Sequence, residues 1–546
     1  MRMRKSAIQR LRAGAALAVA SISLAATAAA VPATVHIDSG WLEGMPRAGT
    51  TVYEGIPFAA PPVGPLRWRA PEPPASWSGV RKADHFGPPC MQTPPMIPGM
   101  PPMHMSEDCL YLNVWTPAKS AREKLPVMVW IYGGGFMFGS TDLPLYDGAR
   151  LAAHGVVVVS IAYRVGPMGF LALPALDAES AHGVSGNYGL LDQIAGLRWV
   201  QHNIGAFGGD PARVTIFGES AGAISVSILA ASPLAHGLFA GAISESGGSF
   251  GPPRVPPYPG ENMPTLPEAD RTGLAFEKQL GASTLGEMRR LPAEKIQRAA
   301  APVGEFWPVV DGWVVPGDQY TLYQQGRYNH TPVLIGTNSD EGVIFGAAPS
   351  RSAYVRAVHQ RFGPFAARIL EAYPATADRW RQSSLDVMRD AAFAWGTWAW
   401  ARLQAQTSDS KVFLYYFDHI PPRPPHSPWK NATGAVHSEE MVYVFQHLDQ
   451  SPALPWTEVD RQLSADMGEY WTNFAKYGDP NGAGVPHWAA FTDSRPAVMH
   501  FTNAPHVGGV PNLDGLRALQ AYFAWRRTPR GAAWVGGPNA RWTPPH

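Results

Sequence analysis

Cysteine is nearly missing from this chain of 546 residues, which carries only Cys90 and Cys109. Two thiols at that spacing exclude a C-x-x-C redox motif and leave too few ligands for a thiolate zinc site. Charge is sparse as well: Asp, Glu, Lys and Arg make up 16% of the residues and the formal net charge is +1. Nothing in that balance asks for nucleic acid, acidic lipid or another polyanion as partner. No internal repeat is apparent, and beyond residues 1–30 no run is apolar and long enough to span a bilayer. What is abundant is material for a core, with 45% hydrophobic and 11% aromatic side chains, so disorder of the whole chain is excluded.

Residues 1–30 read as a signal peptide. Arg2, Arg4, Lys5, Arg10 and Arg12 form a positive leader, residues 13–30 are small or apolar, and Ala26-Thr27-Ala28 or Ala28-Ala29-Ala30 offers a cleavage site. The expectation is an exported protein, periplasmic or secreted, whose mature chain of residues 31–546 forms a single domain with no stable membrane anchor. In an oxidising compartment the even cysteine count favours a Cys90–Cys109 disulfide. The enclosed loop is rich in Pro, Gly and Met, which rules out regular structure, and closing about twenty residues contributes on the order of 3 kcal/mol.

Short apolar runs bounded by Gly, Pro or polar residues predict buried strands at 127–132, 156–161, 214–217, 242–244, 333–335 and 412–417. Segments 190–203 and 221–231 have helical length and spacing. Such alternation predicts an α/β fold with a mostly parallel central sheet flanked by helices. Residues 251–260 are mostly Pro and Gly and open a polar helical stretch over about 268–300, read as an insertion. The Gly- and Pro-rich tail after about Arg530 is expected to be loosely held.

Gly218-Glu219-Ser220-Ala221-Gly222 fits G-x-S-x-G, directly after one predicted strand and before a predicted helix. A serine on such a turn is forced into a strained backbone and its hydroxyl is pushed out above the sheet, the nucleophile elbow of α/β-hydrolases. A serine hydroxyl needs a base to become nucleophilic, and the developing oxyanion needs aimed donors. Gly134 and Gly135, in the Gly133-Gly134-Gly135 turn after the 127–132 strand, together with the N–H of Ala221, are candidates for an oxyanion hole. The acid and base should follow Ser220 in chain order. Asp340 and Glu341 lie after the 333–335 strand, and His419, His426 and His437 after the 412–417 strand; composition does not choose among them.

Several ordered motifs carry a resemblance over essentially the whole mature chain. Ser106-Glu107-Asp108-Cys109-Leu110-Tyr111-Leu112-Asn113-Val114-Trp115 and Phe217-Gly218-Glu219-Ser220-Ala221-Gly222 resemble the two signatures of the type-B carboxylesterase family, which includes the cholinesterases. Trp130-Ile131-Tyr132-Gly133-Gly134-Gly135-Phe136 and Tyr470-Trp471-Thr472-Asn473-Phe474-Ala475 are similar to further family motifs. The resemblance implies Glu341 as the acid and His437 as the base, with Asp340 the runner-up acid and His419 and His426 bystanders. It also implies the Cys90–Cys109 bridge and buried ion pairs of Arg67 with Glu107 and Arg164 with Asp192. Glu219, beside the serine, is expected to tune the field of the site.

The implied activity is hydrolysis of carboxylic esters through an acyl intermediate on Ser220, with no metal or organic cofactor. The segment between the cysteines has no tryptophan to receive a quaternary ammonium, which disfavours acetylcholine. Its methionines, Met91, Met96, Met100, Met103 and Met105, either form an adaptable wall for apolar or aromatic esters or fill gaps. Amides, carbamates or lactones would be cleaved by the same three residues. An inactive cholinesterase-like binding module is the other class in view, against which stands the presence of all three. Oligomeric state is not legible.

Overall fold

The computed structural model describes residues 33–47, 49–93, 103–253, 258–261, 263–304 and 306–534. The expected signal peptide, Met96 and Met100, part of the 251–260 segment and residues 535–546 therefore lie outside the described residues.

An eleven-stranded sheet forms the centre. Its order is His506–Gly508, Val498–Phe501, Val412–Phe417, Val333–Asn338, Gly241–Glu245, Gly209–Glu219, Leu125–Ile131, Val157–Ile161, Tyr111–Thr116, Thr50–Pro57 and Met45–Arg47. From Val498–Phe501 to Val157–Ile161 every neighbouring pair is parallel; the remaining pairings, at the two edges, are antiparallel. The β-branched run Val157–Ile161 is buried at every position, so both of its faces are covered, as a parallel strand requires. Helices Tyr188–Asn203, Ala221–Ala231 and Glu458–Tyr477 all pack on the strand Gly209–Glu219. A small three-stranded sheet of Thr34–Ile37, Gly40–Glu43 and Val80–Lys82 stands apart.

All six strands expected from apolar runs are present, with ends shifted by a few residues. The expected helix at 221–231 is Ala221–Ala231, and that at 190–203 begins earlier, at Tyr188. The stretch around 268–300 is three helices, Leu266–Leu280, Leu285–Arg290 and Ala293–Ala300. The first starts ahead of Glu268 because Thr265 and Glu268 form a reciprocal capping box, and it stops at Gly281 with φ of 67°. The tail is held further than its composition suggests: Pro529–Ala532 is helical and the Trp534 ring docks on Gly363.

Thr50–Pro57 and Tyr111–Thr116 carry no strand signal of the kind used above, because Gly55 and Asn113 interrupt them. Gly55, at φ of 71°, makes a bulge whose N–H donates to Asn113 Oδ1 at 2.9 Å, and Asn113 Nδ2 donates to Ser160 Oγ at 2.9 Å. A polar residue inside a buried strand is thus explained by the bulge it satisfies.

The Cys90–Cys109 disulfide is formed. At the base of its loop Met91 N–H donates to Ser106 O at 3.1 Å, and Met91 is buried in the core, so this methionine fills a gap. Both expected ion pairs form and both are bidentate. Arg67 Nε and Nη2 each donate to Glu107 at 2.6 Å; Arg164 Nε and Nη2 donate to Asp192 at 2.8 and 2.7 Å.

Candidate active site

Parallel strands all end on one side of the sheet, and ligands of open α/β sheets gather there. Ser220 lies at that edge, directly between Gly209–Glu219 and Ala221–Ala231, at φ 55° and ψ −124°. A left-handed φ at a non-glycine residue is strain, of order 1–3 kcal/mol, that the surroundings must hold. Here Ser220 N–H donates to Glu245 O at 2.9 Å on the next strand. The flanking glycines let the turn close onto Leu125–Ile131: a Cβ on Gly222 would sit 2.0 Å from Ile131 O, and one on Gly218 would sit 2.6 Å from the same oxygen. The small residues of G-x-S-x-G are therefore a packing requirement here.

His437 reaches this serine from the loop that follows Val412–Phe417, with Nε2 2.8 Å from Ser220 Oγ. Behind the ring, Nδ1 faces Glu341 Oε2 at 3.6 Å, a separation longer than a hydrogen bond but within ion-pair range. Glu341 follows Val333–Asn338 and is fully buried; its other oxygen accepts from Ser246 Oγ and from Asn338 N–H, both at 2.5 Å. Those two donors fix the carboxylate, leaving Oε2 for the imidazole. Phe393, in a short π-helical turn Asp390–Ala394, lies nearly parallel to the His437 ring with centroids 4.7 Å apart.

A second carboxylate touches the imidazole. Glu219 Oε1 is 3.2 Å from His437 Nε2 and accepts from Ser438 Oγ. Glu219 therefore faces the reacting centre. Burial lowers the affinity of the imidazole for its proton, but the charges of Glu219 and Glu341 outweigh this and hold the His437 pKa above its ordinary 6.5. Burial likewise raises Glu219, against the attraction of His437. Two further buried carboxyls stand behind: Glu245, which accepts from Trp471 Nε1 at 2.9 Å and is pushed up to about 8 by burial, and Glu440, bonded to Asn338 Nδ2 and raised by burial and by neighbouring acids.

The glycine turn lies against the serine. A Cβ on Gly133 would be 3.0 Å from Ser220 Cβ, and one on Gly134, at φ of 103°, would be 2.1 Å from Phe138 O. Gly135, at φ of 62°, has nothing within 4 Å of such a position, so this side of the turn is open. Ala221 begins the helix, where the first N–H groups have no intrahelical acceptor. Gly133 thus lies against Ser220, with Gly134 and Gly135 next to it in the chain, and Ala221 follows the serine directly.

The other expected candidates go elsewhere. Asp340 turns away from the imidazole and accepts from Thr433 N–H at 3.0 Å. His419 is locked between Asp460 and Asn503 at 2.8 and 2.7 Å, and His426 is exposed on the loop. Sequence reasoning overlooked Ser246, Ser438, Glu245, Glu440 and Phe393. One available signal was position: Ser246 follows Gly241–Glu245 at the same edge of the sheet as Ser220 and Glu341.

Among the described residues no group of three or more His, Cys, Asp or Glu side chains is placed to hold a metal ion. No helix among them is long and apolar enough to cross a membrane.

The mixed sheet with its strained strand-to-helix serine defines an α/β-hydrolase fold. Comparison with known proteins narrows the class. The carboxylesterase family profile matches residues 31–515. Fumonisin B1 esterase of Sphingopyxis macrogoltabida is 37% identical, the match covering 85% of this chain and 86% of that protein. Para-nitrobenzyl esterase of Bacillus subtilis is also 37% identical, over 83% of this chain and 91% of its own. Among solved structures, a PNB esterase superposes with a TM-score of 0.78 at 34% identity, covering 89% of this chain and 99% of that one. The chain belongs to the carboxylesterase family. It is an enzyme that hydrolyses carboxylic esters of small molecules.

Proposed function

We propose that Ser220 is the nucleophile, His437 the general base and Glu341 the acid that orients it. The observation carrying this reading is the 2.8 Å contact of Ser220 Oγ with His437 Nε2, with Glu341 on the opposite ring nitrogen. His437 takes the Ser220 proton as Oγ attacks the ester carbonyl, and Glu341 stabilises the imidazolium. The N–H groups of Gly134, Gly135 and Ala221 receive the oxyanion, each such donor contributing about 3 kcal/mol to the transition state. The imidazolium then protonates the leaving alcohol, and water repeats the sequence to release the acid and free Ser220.

The substrate class we infer is esters with a bulky apolar or aromatic group. Phe393 stacked on His437, the partly exposed Phe138 in the glycine turn and the absence of tryptophan between Cys90 and Cys109 support it. So do relatives named for fumonisin B1 and para-nitrobenzyl esters. A panel of esters varied separately in acyl and alcohol parts tests this: kcat/KM should rise with aromatic size, and a strict preference for short charged esters would contradict it. Matched amide, carbamate and lactone analogues should turn over far more slowly.

Residues 1–30 and the disulfide support export with cleavage of the leader, the mature chain from about residue 31 acting as one unit without a stable membrane anchor. Mass spectrometry of the protein recovered from culture medium and periplasm gives the mature N-terminus and the compartment; an intact Met1 in the cytoplasm would contradict this.

A further inference from the structure

His437 rides on a long connection that follows Val412–Phe417, and such a connection has no secondary structure of its own to hold a side chain in place. The geometry points to Arg423 and Glu439 as positioning residues that clamp the neck of this loop and so fix His437 against Ser220. This rests on His437 being the base, as proposed above.

The Arg423 side chain is 7% exposed, and four hydrogen bonds hold its guanidinium. Nε and Nη2 donate to the two Glu439 oxygens at 2.6 and 2.7 Å, Nη2 also donates to Gly434 O at 2.6 Å, and Nη1 donates to Ala432 O at 3.2 Å. Glu439 in turn accepts from Val436 N–H at 2.7 Å. The four Arg423 bonds join residue 423 to the segment 432–439, and the Glu439–Val436 bond closes that segment on itself, so together they tie the chain's outward and returning limbs into one neck around His437. The planar fork suits this task because it holds a carboxylate at two points and still has donors left for carbonyls.

Across the neck, the acid-bearing strand end supplies the second set of ties. Ala435 N–H donates to Ser339 Oγ at 2.8 Å, and Asn338 Nδ2 donates to Val436 O at 2.8 Å. Ser438 beside the histidine is held at a left-handed φ of 71°, a conformation that relaxes unless its neighbours restrain it. Outside the neck, residues 424–431 carry the exposed His426 and Trp429 and bond among themselves, Ser427 N–H to Pro424 O and Lys430 N–H to Ser427 O. The clamp separates this outer part from the base, so motion there does not reach the imidazole.

The test compares Arg423→Ala, Arg423→Lys and Glu439→Gln with Trp429→Ala, using kcat and KM for a chromogenic ester, thermal melting, and rescue by methylguanidinium. Misplacing the base should lower kcat of Arg423→Ala on the order of 100-fold while KM changes less than about threefold, because binding is not the step lost. Arg423→Lys, which lacks the fork, should remain at least about tenfold down, and methylguanidinium should restore part of the Arg423→Ala rate. Trp429→Ala should match the parent. A folded Arg423→Ala protein with kcat within about twofold of the parent overturns the proposal; so does a Trp429→Ala protein that falls equally far. If Arg423→Ala does not fold, parental rates in both Arg423→Lys and Glu439→Gln overturn it. His437→Ala separates the two levels: full activity there refutes the base assignment, whereas a dead His437→Ala beside a fully active Arg423→Ala refutes the clamp alone.

Discussion

Ser220 sits one residue past a strand and one before a helix, whereas its partner His437 stands far out on a loop, yet the two meet at 2.8 Å. The serine is placed by backbone: a left-handed φ, an inter-strand hydrogen bond and glycines pressed onto Ile131 leave it one position. The histidine is placed by side chains, through Ser339, Asn338, Arg423 and Glu439. The first kind of placement fails when atoms are added, and the second when hydrogen bonds are removed.

The largest expected effect removes the chemistry and leaves the comparison intact. Ser220→Ala should lower kcat on the order of 10⁶-fold with the melting temperature unchanged or raised, since alanine deletes no packing contact. Steady-state assay beside a melting curve checks it.

Adding one methyl tests the backbone-placed half. Gly222→Ala puts a carbon 2.0 Å from Ile131 O, where only backbone movement can relieve the clash. Overpacking of this kind should destabilise by about 3 kcal/mol and distort the elbow, so urea unfolding and activity should fall together.

A subtler change touches the electrostatics that the two halves share. Catalysis needs neutral His437, and the Glu219 charge helps the ring keep its proton to higher pH. In the parent, kcat/KM should rise through a midpoint above the ordinary 6.5 of histidine; Glu219→Gln should move that acid limb to lower pH. An unmoved limb in the pH–rate profile would contradict the field assigned to Glu219.

The effect most remote from the reacting atoms belongs to Glu245, at the back of the elbow. Its carboxyl is raised to about 8 in the fold against an ordinary 4.5, so the native state binds the proton more tightly than the unfolded chain. The stability linked to that proton is present below about pH 4.5 and is lost as pH climbs to about 8. Glu245→Gln should flatten this decline in denaturant unfolding measured from pH 5 to 8.

The same contrast decides what could be read from the sequence. The elbow was legible because backbone placement leaves its mark in consecutive residues, Gly218 to Gly222, and the parallel strands because full burial demands apolar runs such as Val156-Val157-Val158-Val159. Glu341 and His437 could be picked from Asp340, His419 and His426 only through family resemblance, since nothing local marks which acid turns toward the imidazole. Thr50–Pro57 and Tyr111–Thr116 were hidden by a bulge whose polar filling, Asn113, comes from a different strand. Glu440, Arg423 and Glu439 were invisible for the same reason: each acts through a partner that tertiary structure brings to it.

The account turns on Ser220 carrying the acyl group, and covalent labelling tests that most directly. Treatment with an organophosphonate that mimics the acyl transition state, followed by peptide mass spectrometry, should give one stoichiometric adduct on Ser220, formed in step with loss of esterase activity and absent from His437→Ala. An adduct on another residue accompanying full inactivation, or undiminished ester hydrolysis by protein fully labelled at Ser220, would contradict it.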